Sequence, residues 1–183
     1  MDTLAKCLLS GDQDEAIRIA SKDYPFLPVE KQQRKYTKHQ MLTVFLRDGF
    51  IDRYSGERLY HPGFLRMLNV MLPEQFPFDA HGSLDKCHSI FWDLMPSIDH
   101  LVPISKGGTN SSENLITTSM RRNMAKGLWS LGELGWSLHP AGSIQDWDGC
   151  TKLFITLVEK YQQQSAANSY VIGWYKTSIK VYK

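Results

Sequence analysis

The chain has 183 residues, 42% of them hydrophobic and 22% charged, with a formal net charge of +2. That length suits one domain with its own core, or a compact domain with arms, and the near-neutral balance excludes a uniformly basic coat while leaving local Lys and Arg clusters open. No apolar run approaches the ~18 residues of a membrane span, the N-terminus builds no secretory signal, and Cys7, Cys87 and Cys150 are too scattered for a disulfide framework. A cytoplasmic protein with free thiols and no membrane partner is expected.

Asp12 to Glu15 reads as a capping box that opens a helix to about Lys22. Thr37 to Gln40 opens a second helix, to about Arg47, with Met41, Leu42, Phe45 and Leu46 on one apolar face. The link before it, "EKQQRKYTKH", is locally basic and reads either as a solvated linker or as a strip for phosphates. Ser55-Gly56 marks a turn, followed by a short strand and a helix from about Pro62 with a Phe64, Leu65, Leu68, Met71, Leu72 stripe. In "PEQFPFDAHGSLDKCH", His81, Asp85, Cys87 and His88 lie near one another, but their spacing matches no metal-ligand pattern.

The middle of the chain is the informative part. Ile98 to Ile104 predicts a strand ended by Pro103, "SKGGTNSSEN" is loop chemistry, and "LITTS" is a second strand. Ser119 suits an N-cap, and "MRRNMAKGLW" continues as helix. On that helix Met120, Met124 and Leu128 share a face expected to pack on the hairpin. Asn123 falls about 60° from that stripe and Lys126 about 60° further, so Asn123 belongs at the border between core and solvent. Beyond it, Ser130 caps a short helix ending at Gly135, and "DWDGCTKLFITLVEKYQQQ" predicts a long amphipathic helix. The terminal "YVIGWYKTSIKVYK" alternates apolar and polar residues and reads as one or two strands.

Asp99 and His100 are chemically complementary. A carboxylate and an amide oxygen (Asp99, Asn123) are hard ligands suited to Mg²⁺ or Mn²⁺, while a histidine can take a proton from water near neutral pH. Neighbours on a regular strand face opposite ways, so both serve one site only where the strand twists or ends. Each residue alone is an ordinary polar surface group; the joint spacing is what carries the case.

That spacing resembles the HNH nuclease motif, the ββα-metal fold. His100 to Asn114 is fourteen residues, Asn114 to Asn123 is nine, and Lys126 follows three later. The flanks "FIDRYSGERL" and "IFWDLMPSIDH" are similar, more loosely, to those of some bacterial members. The resemblance implies an α+β fold: a ββα-metal (HNH) core flanked by N-terminal helices and by a C-terminal helix plus short strands. The expected divisions are a helical region over 1–90, the nuclease core over 91–136 and a C-terminal part over 137–183 of the same compact domain.

By the same resemblance His100 is the general base, Asp99 and Asn123 bind one Mg²⁺ or Mn²⁺, and Asn114 braces the loop and helps orient His100. Lys106, Arg121, Arg122 and Lys126 are candidates for nucleic-acid phosphates. The chain departs from the family twice. Positions that hold zinc-binding cysteines in many members are Ser119 and Arg122, so structural zinc is not expected and packing by Phe91, Trp92, Trp129 and Trp136 should replace it. The last motif position is Asn123 rather than His, a His-Asn-Asn variant. The expected activity is DNA cleavage to 5′-phosphate and 3′-hydroxyl ends, in a restriction or defence setting, with a homodimer as one route to cutting both strands. The alternatives are an RNase or toxin with the same mechanism, and a catalytically silent ββα module that binds nucleic acid.

Overall fold

The computed structural model describes residues 1–26, 28, 35–83 and 85–182 of the protein. The chain divides into two units, residues 1–32 and residues 33–183. In the first, α1 (Asp2–Leu9) and α2 (Gln13–Asp23) form a helical hairpin that turns at Gly11. Asp12 caps α2 as its sequence suggests, its carboxylate accepting the Glu15 amide at 3.1 Å.

The second unit contains α3 (Lys38–Arg47), α4 (Pro62–Met71), α5 (Ile90–Asp93), β1 (Pro96–His100), β2 (Leu115–Ser119), α6 (Met120–Lys126), α7 (Leu131–Leu134), α8 (Thr151–Lys160), α9 (Gln162–Ala166) and α10 (Ser169–Val181). Mixed helix and strand make it an α+β structure, with a two-stranded antiparallel sheet. Its start signals are physical. Thr37 and Gln40 form a reciprocal capping box on α3, Pro62 opens α4, and Ser130 with Glu133 caps α7 before a left-handed Gly135.

The core lies between α3, α4, α8 and α10, where Leu42, Phe45, Phe50, Met67, Phe154, Val158, Val171 and Trp174 are buried. His61 sits inside it, stacked on Phe154 with ring centroids 4.7 Å apart. Its Nδ1 accepts the Gly63 amide at 3.1 Å, and Nε2 lies 3.0 Å from the Ser178 hydroxyl. Burial holds this imidazole down to about 3, so it is neutral.

The C-terminal segment corrects the sequence reading. It is not one or two strands but the helix α10, capped by Asn168, whose side chain accepts the Tyr170 and Val171 amides at 3.1 Å each. Val171, Trp174 and Ser178 fall at i, i+3 and i+7 and are buried together. The alternation was compatible with both periods, and the cap plus the fit of Trp174 into the core decides for helix. The long helix expected before it breaks at Tyr161 into α8 and α9.

The sheet is held at both edges. β1 and β2 pair with Pro96 opposite Ser119, Asp99 opposite Ile116 and His100 opposite Leu115. On the outer edge of β2, Asp48 accepts the Thr117 amide at 2.8 Å and Asp52 accepts the Ser119 amide at 2.8 Å. The carbonyls of that edge are met by Arg47, which donates to Leu115 O at 2.6 Å, and by the Arg53 amide, which donates to Thr117 O at 2.9 Å. Asp48 and Asp52 are both wholly buried, the first paired with Arg47 and Arg53 at 2.9 and 3.1 Å. Buried carboxylates fasten this strand.

Candidate functional site

β1 ends one residue after Asp99, earlier than its sequence suggests, and the chain turns away before Pro103. The early end lets Asp99 and His100 contribute to one place. Asp99 is 7% exposed. Its Oδ2 accepts the Tyr54 hydroxyl at 2.6 Å and the Lys126 ammonium at 3.0 Å, and its Oδ1 accepts the His100 amide at 2.8 Å. Burial, then the neighbouring Asp99 charge, pushes the Tyr54 phenol up, so it remains a donor.

His100 is half-buried, and its Nε2 lies 2.8 Å from Asn110 Oδ1 and 3.2 Å from the Tyr36 hydroxyl. An amide oxygen only accepts, so the shorter contact assigns the ring proton to Nε2 and leaves Nδ1 as the basic nitrogen. Tyr36 also donates to Asn110 Oδ1 at 3.2 Å, closing a triangle around the imidazole.

Asn123 projects from the middle of α6. Its Nδ2 donates to Ser97 Oγ at 2.7 Å and to Ile98 O at 3.0 Å. With the amide nitrogen anchored to β1, the amide oxygen is the atom left for a ligand. Asn114 ties the loop: Oδ1 accepts the Val102 amide at 2.8 Å, and Nδ2 donates to Val102 O and Thr109 O at 3.0 and 2.8 Å. It reaches His100 only indirectly, by fixing Thr109 beside Asn110. The loop needs its glycines here, since Gly107 has φ +85° and a Cβ on Gly108 would lie 1.8 Å from Val102 O.

Asp99, His100 and Asn123 line one cavity of about 320 Å³, together with Tyr36 and Leu128. The face α6 turns inward is polar, however, which corrects the expected apolar packing. Met124 and Leu128 are 66% and 60% exposed, while Lys126 is fully buried and donates to His100 O at 2.8 Å. The reason is local: the hairpin presents Ser97, Asp99 and two carbonyls to α6, and polar side chains satisfy them. Trp129 is also exposed, so it does not replace a zinc site by packing as expected, whereas Phe91 is buried and Trp136 lies 5.5 Å from the Tyr54 ring.

The basic residues expected to meet phosphate are all engaged. Lys126 is taken by Asp99. Arg121 pairs with Asp93, and Lys106 pairs with Glu133, holding that carboxyl down to about 2. Arg122 lies 3.7 Å from Asp52 and 3.4 Å from Glu57. Residues 30–34 of the basic link lie outside the described residues.

Could this site hold a divalent ion? Among the described residues no three His, Cys, Asp or Glu side chains form a closed metal cage. A hard ion that keeps its waters needs only one or two protein oxygens beside a substrate phosphate. Asn123 Oδ1 and the remaining lone pair of the Asp99 carboxylate are the oxygens that would have to serve, with the Lys126 ammonium as a resident competitor.

Five residues that build the site escape sequence reasoning: Tyr36, Asp48, Asp52, Tyr54 and Asn110. Three of them fall on or beside "FIDRYSGERL", whose similarity to known flanks was the available signal. Tyr36 and Asn110 carry no pattern at all. Comparison of the chain with family models, with curated proteins and with solved structures finds no match.

Proposed function

We propose that the protein is a metal-dependent DNA endonuclease of HNH type, using Mg²⁺ or Mn²⁺ and acting in a restriction or defence setting, with a homodimer as the unit that cuts both strands. The observation that carries this reading is that Asp99, His100 and Asn123, spaced as in that motif, line a single cavity.

In the proposed reaction, His100 Nδ1 takes a proton from a water molecule as its oxygen attacks phosphorus. The bond from phosphorus to the 3′ oxygen breaks, and that oxygen is protonated from solvent, leaving 5′-phosphate and 3′-hydroxyl ends. Asn110 and Tyr36 hold the imidazole, and Tyr54 and Lys126 hold the Asp99 carboxylate. An ion bound by Asp99 and Asn123 supplies neutralising charge on the phosphate.

The test is nicking of supercoiled plasmid with Mg²⁺ or Mn²⁺, on DNA and RNA in parallel. His100→Ala should abolish cleavage while leaving the circular-dichroism spectrum unchanged; undiminished cutting by that variant would sink the mechanism. One observation favours a rival, a silent nucleic-acid-binding module: the Lys126 ammonium already neutralises Asp99. Such a module would hold DNA equally in EDTA and never cut.

A further inference from the structure

A second cavity, of about 330 Å³, abuts the first. Both include Tyr36 and Ile98 in their walls, and His100 and Asn110, joined across Nε2 and Oδ1, face one cavity each. The Tyr36, Asn110 and His100 triangle is therefore the partition between the two.

The lining of the second cavity is chemically uniform in one respect. It contains Lys35, His39, Gln40, Thr43 and Ser112 and, among the described residues, no aspartate or glutamate. Lys35 and His39 are exposed, and among the described residues neither has a carboxylate partner. That contrasts with Lys106, Arg121, Arg122 and Lys126, each of which spends its charge on a carboxylate. Among the described residues that line the two cavities, Lys35 is thus a cation placed to meet a phosphate beside the site.

We infer that this cavity is a subsite for the polynucleotide strand on one side of the scissile phosphate, with Lys35 and His39 contacting a neighbouring backbone phosphate. The inference rests on the nuclease reading for what occurs at His100, and adds where the strand leaves it. Tyr36 turns the strand from one cavity to the other, presenting an aromatic face beside the imidazole at a centroid distance of 6.4 Å.

The test uses the full chain and a fluorescein-labelled DNA oligonucleotide, with binding followed by anisotropy in EDTA so that nothing is cut. Lys35→Ala with His39→Ala should weaken binding roughly fivefold or more, uniformly across sequences, and lower the salt slope by about one. With Mg²⁺ the same variant should raise KM and leave kcat unchanged. Lys160→Ala, on α8, is the control and should bind like the parent.

Binding by the double variant within twofold of the parent overturns the subsite, as does an equal loss in Lys160→Ala or a parent that binds no DNA. If the double variant unfolds, Lys35→Gln and His39→Gln replace it under the same criteria. A parent that binds through this cavity but never cuts leaves the subsite standing and removes the nuclease reading. Cutting that ignores Lys35 and His39 does the reverse.

Discussion

Lys126, in the last turn of α6, reaches back under the helix to Asp99, placing its ammonium 3.0 Å from one carboxylate oxygen with no solvent exposure at the lysine. Breaking a buried pair strands a charge and costs more than the pair is worth. Lys126→Met should lower stability by about 3 kcal/mol, measured by urea titration. It should also remove the competitor for a cation at Asp99, so that millimolar Mg²⁺ raises the Tm of the variant more than that of the parent. An equal Mg²⁺ response in both would rule out competition between Lys126 and an ion at Asp99, and no response in either would rule out ion binding there.

Asp52 accepts the Tyr54 amide, the Thr118 hydroxyl and the Ser119 amide from a fully buried position. Asp52→Ala leaves those donors without an acceptor and should cost about 3 kcal/mol or more. Native-state hydrogen exchange gives the local readout: protection at Ser119 should collapse. Protection retained there would mean that this end of β2 is held without Asp52.

Asn110 acts through His100 and is a positioning residue. Asn110→Ala should lower kcat by roughly tenfold or more with little change in KM, because the base is misoriented rather than removed. The ring ¹⁵N shifts of His100 supply a readout that a general loosening of the loop would not move: the Nε2–H tautomer should dominate in the parent and lose its preference in the variant. An unchanged tautomer ratio would end this assignment.

His61 makes stability pH-dependent. Its folded value of about 3 lies below that of an exposed histidine. Below the unfolded value of ~6.5, the unfolded chain binds a proton that the folded chain refuses. Stability therefore falls as pH drops from about 6.5 toward 3, by roughly 2 kcal/mol at pH 5 from this group alone. In His61→Gln the urea midpoint should fall less between pH 7 and pH 5 than in the parent, whatever its starting stability.

Much of the local structure was legible because it is written in adjacent residues. Thr37 with Gln40, Ser119 before α6, "LITTS" as β2 and Ser130 with Glu133 each declare themselves within four or five positions. The inward polar face of α6 was not legible, since Lys126 and Asn123 look like a solvated stripe until Asp99 and the carbonyls of β1 are placed beneath them. The terminal helix was misread because Val171, Tyr175 and Ile179, at i, i+4 and i+8, satisfy the strand and helix periods at once. The three polar positions of the candidate site were named by a spacing pattern, whereas Tyr36 and Asn110 reach His100 across sequence separations of 64 and 10 residues. Contacts of that kind exist only after the chain has folded.

The two-stranded sheet is finished as well as small. On the outer edge of β2 the Thr117 and Ser119 amides and the Leu115 and Thr117 carbonyls have partners from Asp48, Asp52, Arg47 and Arg53, and on β1 the carbonyls of Ile98 and His100 are taken by Asn123 and Lys126. An extended peptide, or the same hairpin from another copy, would have to displace these side chains to pair along either edge. Among the described residues this hairpin is thus guarded against edge-to-edge aggregation by its own side chains, even though it lies at the heart of the candidate site.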